Sequence, residues 1–238
     1  MIASIFSALI FGVVRFLAMH ALYRHHTAVR GLSYRQITSW LVLSNVFFTI
    51  IWTPWISEFP RMVRSGEIIA EFLHPINSFV YQLAQQLGRL AALLITTLIP
   101  ACLIGFILFP PVSHAHGLTY LMFGLSILLL VVSSFSLTYV VGCTAFFTSE
   151  YHMWASLAFY VVLLFGGMII PVEFYPGVAG SIIRFGPGMA FVASSIRILN
   201  NVSPLQSLVV QGFWTSVLFF GGYFALTLGR KRLVAFGG

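Results

Sequence analysis

Few side chains in this sequence could do chemistry. Seven histidines, five carboxylates, two cysteines and one lysine are spread over 238 residues. No Gly-x-x-x-x-Gly-Lys-[Ser/Thr] stretch occurs, and the lone lysine, Lys231, stands in a basic tail, so the chain has no P-loop for a nucleotide's phosphates. Any ATP-driven activity would borrow its engine. His114 and His116 in SHAHG, the pair His25–His26, and Glu150–Tyr151–His152 all miss the HExxH spacing of a zinc helix and read as loop histidines. Ser133, Ser134 and Ser136 lie in an apolar run with neither a GxSxG elbow nor a base, and small residues there let helices approach closely. Cys102 and Cys143 sit one in each of two apolar runs and form no CxxC, which makes them buried structural thiols. Asn201-Val202-Ser203 matches a glycosylation sequon, but Pro204 follows it. No catalytic residue, no metal and no cofactor is therefore expected on this chain.

The charged residues gather instead in one place. RSGEIIAEFLHP, residues 64 to 75, lies between long apolar runs, and Glu58, Glu67 and Glu71 stand there beside Arg61 and Arg64. Drawn as one continuous helix, the stretch puts Met62, Ile69 and Leu73 on one side and Arg64, Glu67 and Glu71 on another. Pro75 stops it, since the residue before proline avoids the α region. The expectation is a short amphipathic helix over about 61–74, polar side outward. Ahead of the next apolar run, Gln82, Gln85, Gln86 and Arg89 fall at helical offsets and make one polar stripe. That stripe suits either the mouth of a cavity or a helix lying along lipid headgroups. Asn45 in the second apolar run is a further candidate lining residue. Arg15 in the first run either reaches an interface or pairs with another helix.

These groups must be positioned by membrane helices. The composition is 59% hydrophobic and 7% charged, against about 25% charged in soluble domains. The apolar runs lack the alternation of barrel strands, so helices are the form that satisfies the backbone in lipid. Six runs approach the length of a bilayer crossing, at about 2–22, 36–56, 89–109, 119–146, 152–170 and 205–229. An even number puts both termini on one side, and Arg230, Lys231 and Arg232 after the last run argue for the cytoplasm. The remaining basic residues divide almost evenly between the two sides and do not decide orientation. They are scattered through loops, so nucleic acid is not an expected partner; membrane lipids are. Residues 166–204 are too apolar for a loop and too broken by Pro171, Pro176, Pro187 and glycines for one span. That composition predicts a re-entrant helical hairpin over about 171–200, which survives at membrane depth only when packed against protein or facing water.

In order and spacing, the chain resembles the permeases of ABC-2-type transporters, in a small six-span branch. Three motifs carry the resemblance: Ser65-Gly66-Glu67 followed by an apolar stretch and Leu73-His74-Pro75; Gly167, Pro171, Phe174 and Pro176 as Gly-x-x-x-Pro-x-x-Phe-x-Pro; and a basic cluster running into Gly237-Gly238. The family usually has arginine where His74 stands, and its second proline motif is replaced by Phe191-Val192-Ala193-Ser194-Ser195. The resemblance implies an all-α integral membrane protein in a prokaryotic cell membrane, one transmembrane domain over 1–238. The helix at 61–74 would be a cytoplasmic coupling helix, with Arg61, Arg64, Ser65, Gly66, Glu67, Glu71, His74 and Pro75 at the ATPase and Glu67 and Glu71 facing it. Gly167, Pro171, Phe174 and Pro176 would belong to an outer gate. Such a permease pairs with a second one, identical or homologous, over two ATP-binding subunits that hold ATP and magnesium. It would export an amphipathic substrate such as a lipid, glycan, peptide, antibiotic or other drug without chemistry of its own. The rival is a stand-alone channel or secondary transporter, which would want acidic or paired ionisable residues inside its spans.

Overall fold

The computed structural model describes residues 2–51, 55–73, 75–93, 95–96, 99, 117–148 and 150–236. They are overwhelmingly helical: α1 (Ile2–Tyr23), α2 (Tyr34–Ile51), α3 (Trp55–Ser65), α4 (Ile68–Phe72), α5 (Ser78–Leu93), α6 (Gly117–Cys143), α7 (Tyr151–Phe165), α8 (Gly177–Phe185), α9 (Val192–Leu199) and α10 (Pro204–Phe236). Among the described residues two segments, Gly117–Phe146 and Pro204–Lys231, are long and apolar enough to cross a bilayer; Gly12–Tyr23 and Tyr151–Phe165 are shorter apolar helices.

Several boundaries differ from those read in the sequence. The run expected at 152–170 stops at Phe165, because Gly166 and Gly167 follow and Gly167 takes φ +76°. The run at 205–229 extends to Phe236, so the basic cluster continues the helix. The run at 36–56 ends at Ile51, and a new helix starts at Trp55. The run at 89–109 belongs to a helix that begins as early as Ser78; most of its remainder, with Cys102, lies outside the described residues, as do His74, His114 and His116.

Between α1 and α2 the chain turns through a two-residue hairpin, β1 (Ala28–Val29) against β2 (Leu32–Ser33). Arg30 at φ 53° and Gly31 at φ 81° supply the two positive angles that a type I′ turn needs. Ser33 then starts α2 as a capping box: its amide donates to Gln36 Oε1 at 2.8 Å while Gln36 N reaches Ser33 Oγ at 3.4 Å.

The centre of the molecule is α6 packed along α10. Their interface is polar at intervals, as helix contacts in lipid often are. Ser126 Oγ donates to Gln211 Oε1 at 2.5 Å and meets Ser195 Oγ at 2.7 Å; Ser133 Oγ and Thr215 Oγ1 lie 2.7 Å apart one level further on. α9 is buried over its whole length against α2, α6 and α10, whereas α8 exposes Val178, Ile182 and Phe185. Of the hairpin expected at 171–200, the second arm is therefore an interior element and the first a surface one.

Three carbonyls just past α7 hold this arrangement. Gly166 O accepts from Ala193 N of α9 at 2.9 Å, Gly167 O from Trp40 Nε1 of α2 at 2.7 Å, and Met168 O from Arg15 Nη2 of α1 at 2.5 Å. Arg15 is buried; it also donates to Ser44 Oγ at 2.8 Å and Asn45 Oδ1 at 3.2 Å, and its guanidinium lies 4.7 Å from the Trp40 ring centroid. Of the two roles open to Arg15, pairing with a neighbouring helix is the one observed.

A Cβ on Gly167 would lie 2.8 Å from Ala193 Cβ on a left-handed backbone, so Gly167→Ala should destabilise by about 2–4 kcal/mol. Gly212→Ala on α10, where a Cβ meets nothing within 4 Å, should be neutral or stabilising by up to about 1 kcal/mol. Arg15→Met should cost about 3 kcal/mol by stranding Ser44, Asn45 and the Met168 carbonyl, and Arg15→Lys should recover only part of it because an ammonium lacks the fork. Thermal unfolding of the detergent-purified variants checks both sites; a Gly167→Ala protein as stable as Gly212→Ala would contradict the first.

Candidate functional site

The charged stretch lies at the opposite end of the molecule from the three carbonyls. It is two helices, not one. α3 ends at Ser65, Gly66 takes φ +80°, and α4 spans only Ile68–Phe72, with Ile69 N on Gly66 O at 3.1 Å and Leu73 N on Ala70 O at 3.3 Å. α5 restarts the chain with Asn77 as its cap, Oδ1 accepting from Phe79 N at 3.0 Å.

An apolar cluster fixes this end. Phe59 and Val63 of α3, Ile68 of α4 and Phe79 of α5 are buried with Phe135, Tyr139 and Cys143 of α6, Phe146, and Leu226 of α10. The Phe59 and Tyr139 ring centroids are 4.5 Å apart, and those of Phe79 and Tyr139 4.9 Å. The rings enter over notches: a Cβ at Gly142 would stand 2.7 Å from Phe59 Cδ1, and one at Gly229 would run into the Phe146 ring.

The break at Gly66 resets the helical phase, and this overturns the faces drawn on one wheel. Ile69, Leu73 and Ile76 point outward, 54%, 81% and 57% exposed, so Ile69 and Leu73 do not pack into the protein interior. Glu71, expected on the outward polar face, points inward and is 8% exposed. Gln82 Nε2 donates to Glu71 Oε1 at 2.6 Å and Oε2 at 2.7 Å. Glu67 does remain outside, where Arg61 Nη1 donates to its Oε1 at 3.0 Å, and both side chains are more than half exposed. That hydrogen bond is the main reason the Glu67 carboxyl is held below the usual carboxylate range. Arg64 stacks on Tyr151 at 4.7 Å, and Arg230 of α10 on Phe72 at 4.2 Å. Ser65, Gly66 and Pro75 mark the ends of the two helices, and Pro75 is exposed.

The remaining candidates separate. Gln82 and Gln86 are buried, Gln85 is half-buried and Arg89 exposed. The stripe therefore runs from interior to surface. Asn45 borders a groove of about 260 Å³ between α1 and α2, lined by Gly12, Val13, Phe16, Thr38, Leu41 and Val42. Gly167 and Pro171 border a cavity of about 10 Å³ with Trp40, Glu173, Arg197 and Asn200, enough for about one water and far too small for a substrate. Phe174 ends the short turn Val172–Phe174, and Pro176 is exposed at the start of α8. Spacing gave no signal for the ion pair beside them. Arg197 Nη1 donates to Glu173 Oε1 at 2.6 Å and Arg197 Nε to Ser207 Oγ at 3.0 Å, largely out of solvent.

Among the described residues no three His, Cys, Asp or Glu side chains stand close enough to hold a metal, and no serine or cysteine has a histidine base within hydrogen-bonding distance. The segment presents exposed apolar side chains on a short helix, beside an ion pair and tied to two longer helices.

No curated protein sequence matches the chain. A family model described as ABC-2 family transporter protein matches residues 9–237, nearly the whole length. Membership implies a membrane transport component that works with an ATP-binding subunit. With its apolar helices and its broken, charged segment, the chain belongs to the ABC-2 family of transporter proteins.

Proposed function

We propose that this chain is the permease subunit of an ATP-driven exporter, and that the segment from Trp55 to Pro75 is the part its ATP-binding subunit grips. One observation carries the reading: Ile69, Leu73 and Ile76 form an exposed apolar ridge on α4 and the turn after it, beside the exposed Arg61–Glu67 pair. Apolar anchors within a polar rim are what protein interfaces use for affinity and register. The ridge stands at the end where Arg230 of α10 reaches Phe72, which supports a cytoplasmic location for both. α3, α4 and their flanking turns act as the coupling element between the second and third of six spans, with both termini in the cytoplasm of a prokaryotic cell. The elements from Val172 to Leu199 close the outer end, Gly167, Pro171, Phe174 and Pro176 setting their geometry. Two such permeases, identical or homologous, flank the path over two ATP-binding subunits that carry ATP and magnesium.

The substrate is amphipathic, in the class of lipids, glycans, peptides and drugs. No carboxylate occurs in α1, α2, α6, α7 or α10, so those helices hold no acidic site for a coupling proton or sodium, and the work falls to ATP.

Ile69→Asp/Leu73→Asp should reduce co-purification of the ATP-binding subunit about tenfold or more. Glu67→Lys, which breaks only an exposed pair, should reduce it about two- to threefold. Binding assays in lipid nanodiscs decide this; a double variant that binds as wild type, or a chain that conducts ions without ATP, would sink the assignment. The pH dependence has a definite sign. A carboxyl with a lowered pKa keeps its contribution above the ordinary carboxylate range and loses it only as pH falls through its own lower value. Binding should therefore stay level from neutral pH down to that range, as titration of the complex in nanodiscs would record.

A further inference from the structure

Two ties leave α4 from adjacent residues and diverge. Phe72 lies beneath Arg230, 4.2 Å from ring centroid to guanidinium carbon, and so connects to α10. Glu71 turns the other way, and both of its carboxylate oxygens accept from the single Gln82 amide of α5 at 2.6 and 2.7 Å. Glu71 is 8% and Gln82 1% exposed. A carboxylate withdrawn from water persists only where donors replace the water. Hydrogen bonds to an ionised group are short and directional, unlike the apolar contacts of neighbouring Ile68, which are non-directional. α4 is five residues long and its inward side consists of Ile68 and Glu71. The Glu71–Gln82 contact is therefore a directional part of its attachment to α5.

We propose that Glu71 and Gln82 form a strut that passes displacement of α4 to α5, Glu71 being a positioning residue for coupling and not part of the partner-binding surface. This rests on the reading of α4 as the segment gripped by the ATP-binding subunit. On that reading, force enters at Ile69 and Leu73 on the outer side of α4. It leaves through Glu71 on the inner side, into a helix whose first turn Asn77 already caps. Loss of the strut separates binding from response, because the outward ridge is untouched.

The test uses the chain in complex with its ATP-binding subunit in nanodiscs, with an environment-sensitive probe on Leu87→Cys of α5 in a Cys102→Ala/Cys143→Ala background. Glu71→Ala and Gln82→Ala should leave co-purification and basal ATP hydrolysis within about twofold of the parent. The probe signal produced by ATP with vanadate should fall about fivefold or more. The exchanged pair Glu71→Gln/Gln82→Glu keeps one amide donating to one carboxylate and should restore most of the signal, which a merely damaged protein would not do. If Glu71→Ala does not accumulate, Gln82→Ala and the exchange make the same comparison. Alanine variants that bind the subunit and respond in full remove the strut alone. A parent chain that binds no ATP-binding subunit removes the docking reading, and the strut with it.

Discussion

Backbone that leaves a helix inside an apolar layer exposes carbonyls that water cannot reach, and each must find a donor in the protein. Here that demand falls on three consecutive residues, Gly166, Gly167 and Met168, and the donors that meet it come from α9, α2 and α1 respectively. Elements that the chain places far apart are thereby required to converge on one point. Arg15 and Ala193 are distant in sequence, yet neighbouring carbonyls fix both. The glycines make the convergence possible: Gly167 adopts a left-handed φ, and a side chain there would collide with Ala193. Packing of α9 against α6 and α10 is a consequence, because α9 starts just before the residue that the Gly166 carbonyl holds.

The two ends of the molecule are built by different physics. The end around residues 166–200 is stitched by directional polar contacts, among them Gln36 Nε2 on Asn200 O at 3.2 Å and the buried Arg197–Glu173 pair. At the other end, aromatic rings stack into glycine notches, with Phe59, Phe79, Phe135 and Tyr139 as the centre. Directional contacts admit few alternative arrangements, and rings seated over glycines are fixed by shape instead. The segment with the exposed ridge is mounted on the ring-packed end.

Hydropathy locates α6 and α10 closely, and the proline and glycine content of residues 166–204 correctly excludes a single clean span. The motif around Ser65-Gly66-Glu67 locates the charged segment, but a wheel drawn through it fails for a local reason. It counts Gly66 as one more helical residue, although that is the position where the chain changes hand. Beyond it every phase shifts, so Ile68 and Glu71 turn inward while Ile69 and Leu73 turn outward. The hairpin turn at Arg30-Gly31 and the capping box of Ser33 and Gln36 carry readable signals that hydropathy alone passes over. Gln211 with Ser126 and Ser195, and Arg197 with Glu173, carry none, since nothing in a lone sequence pairs residues so far apart.

Glu71 shows why a polar group can stand where an apolar one would pack. A leucine at that position would bury more apolar surface and would let α4 slide over α5. A buried carboxylate is a weak source of stability, because desolvation offsets most of what its hydrogen bonds return. Its effect is on register: of the ways α4 can sit on α5, those that leave the carboxylate unmatched are excluded. On the proposed reading the two sides of one short helix divide the work, the outer side apolar and exposed, the inner side holding Ile68 and the carboxylate of Glu71. On that reading, changes on the outer side act on affinity and changes on the inner side on the movement that binding sets off, because Ile69 and Leu73 are exposed while Ile68 and Glu71 are buried.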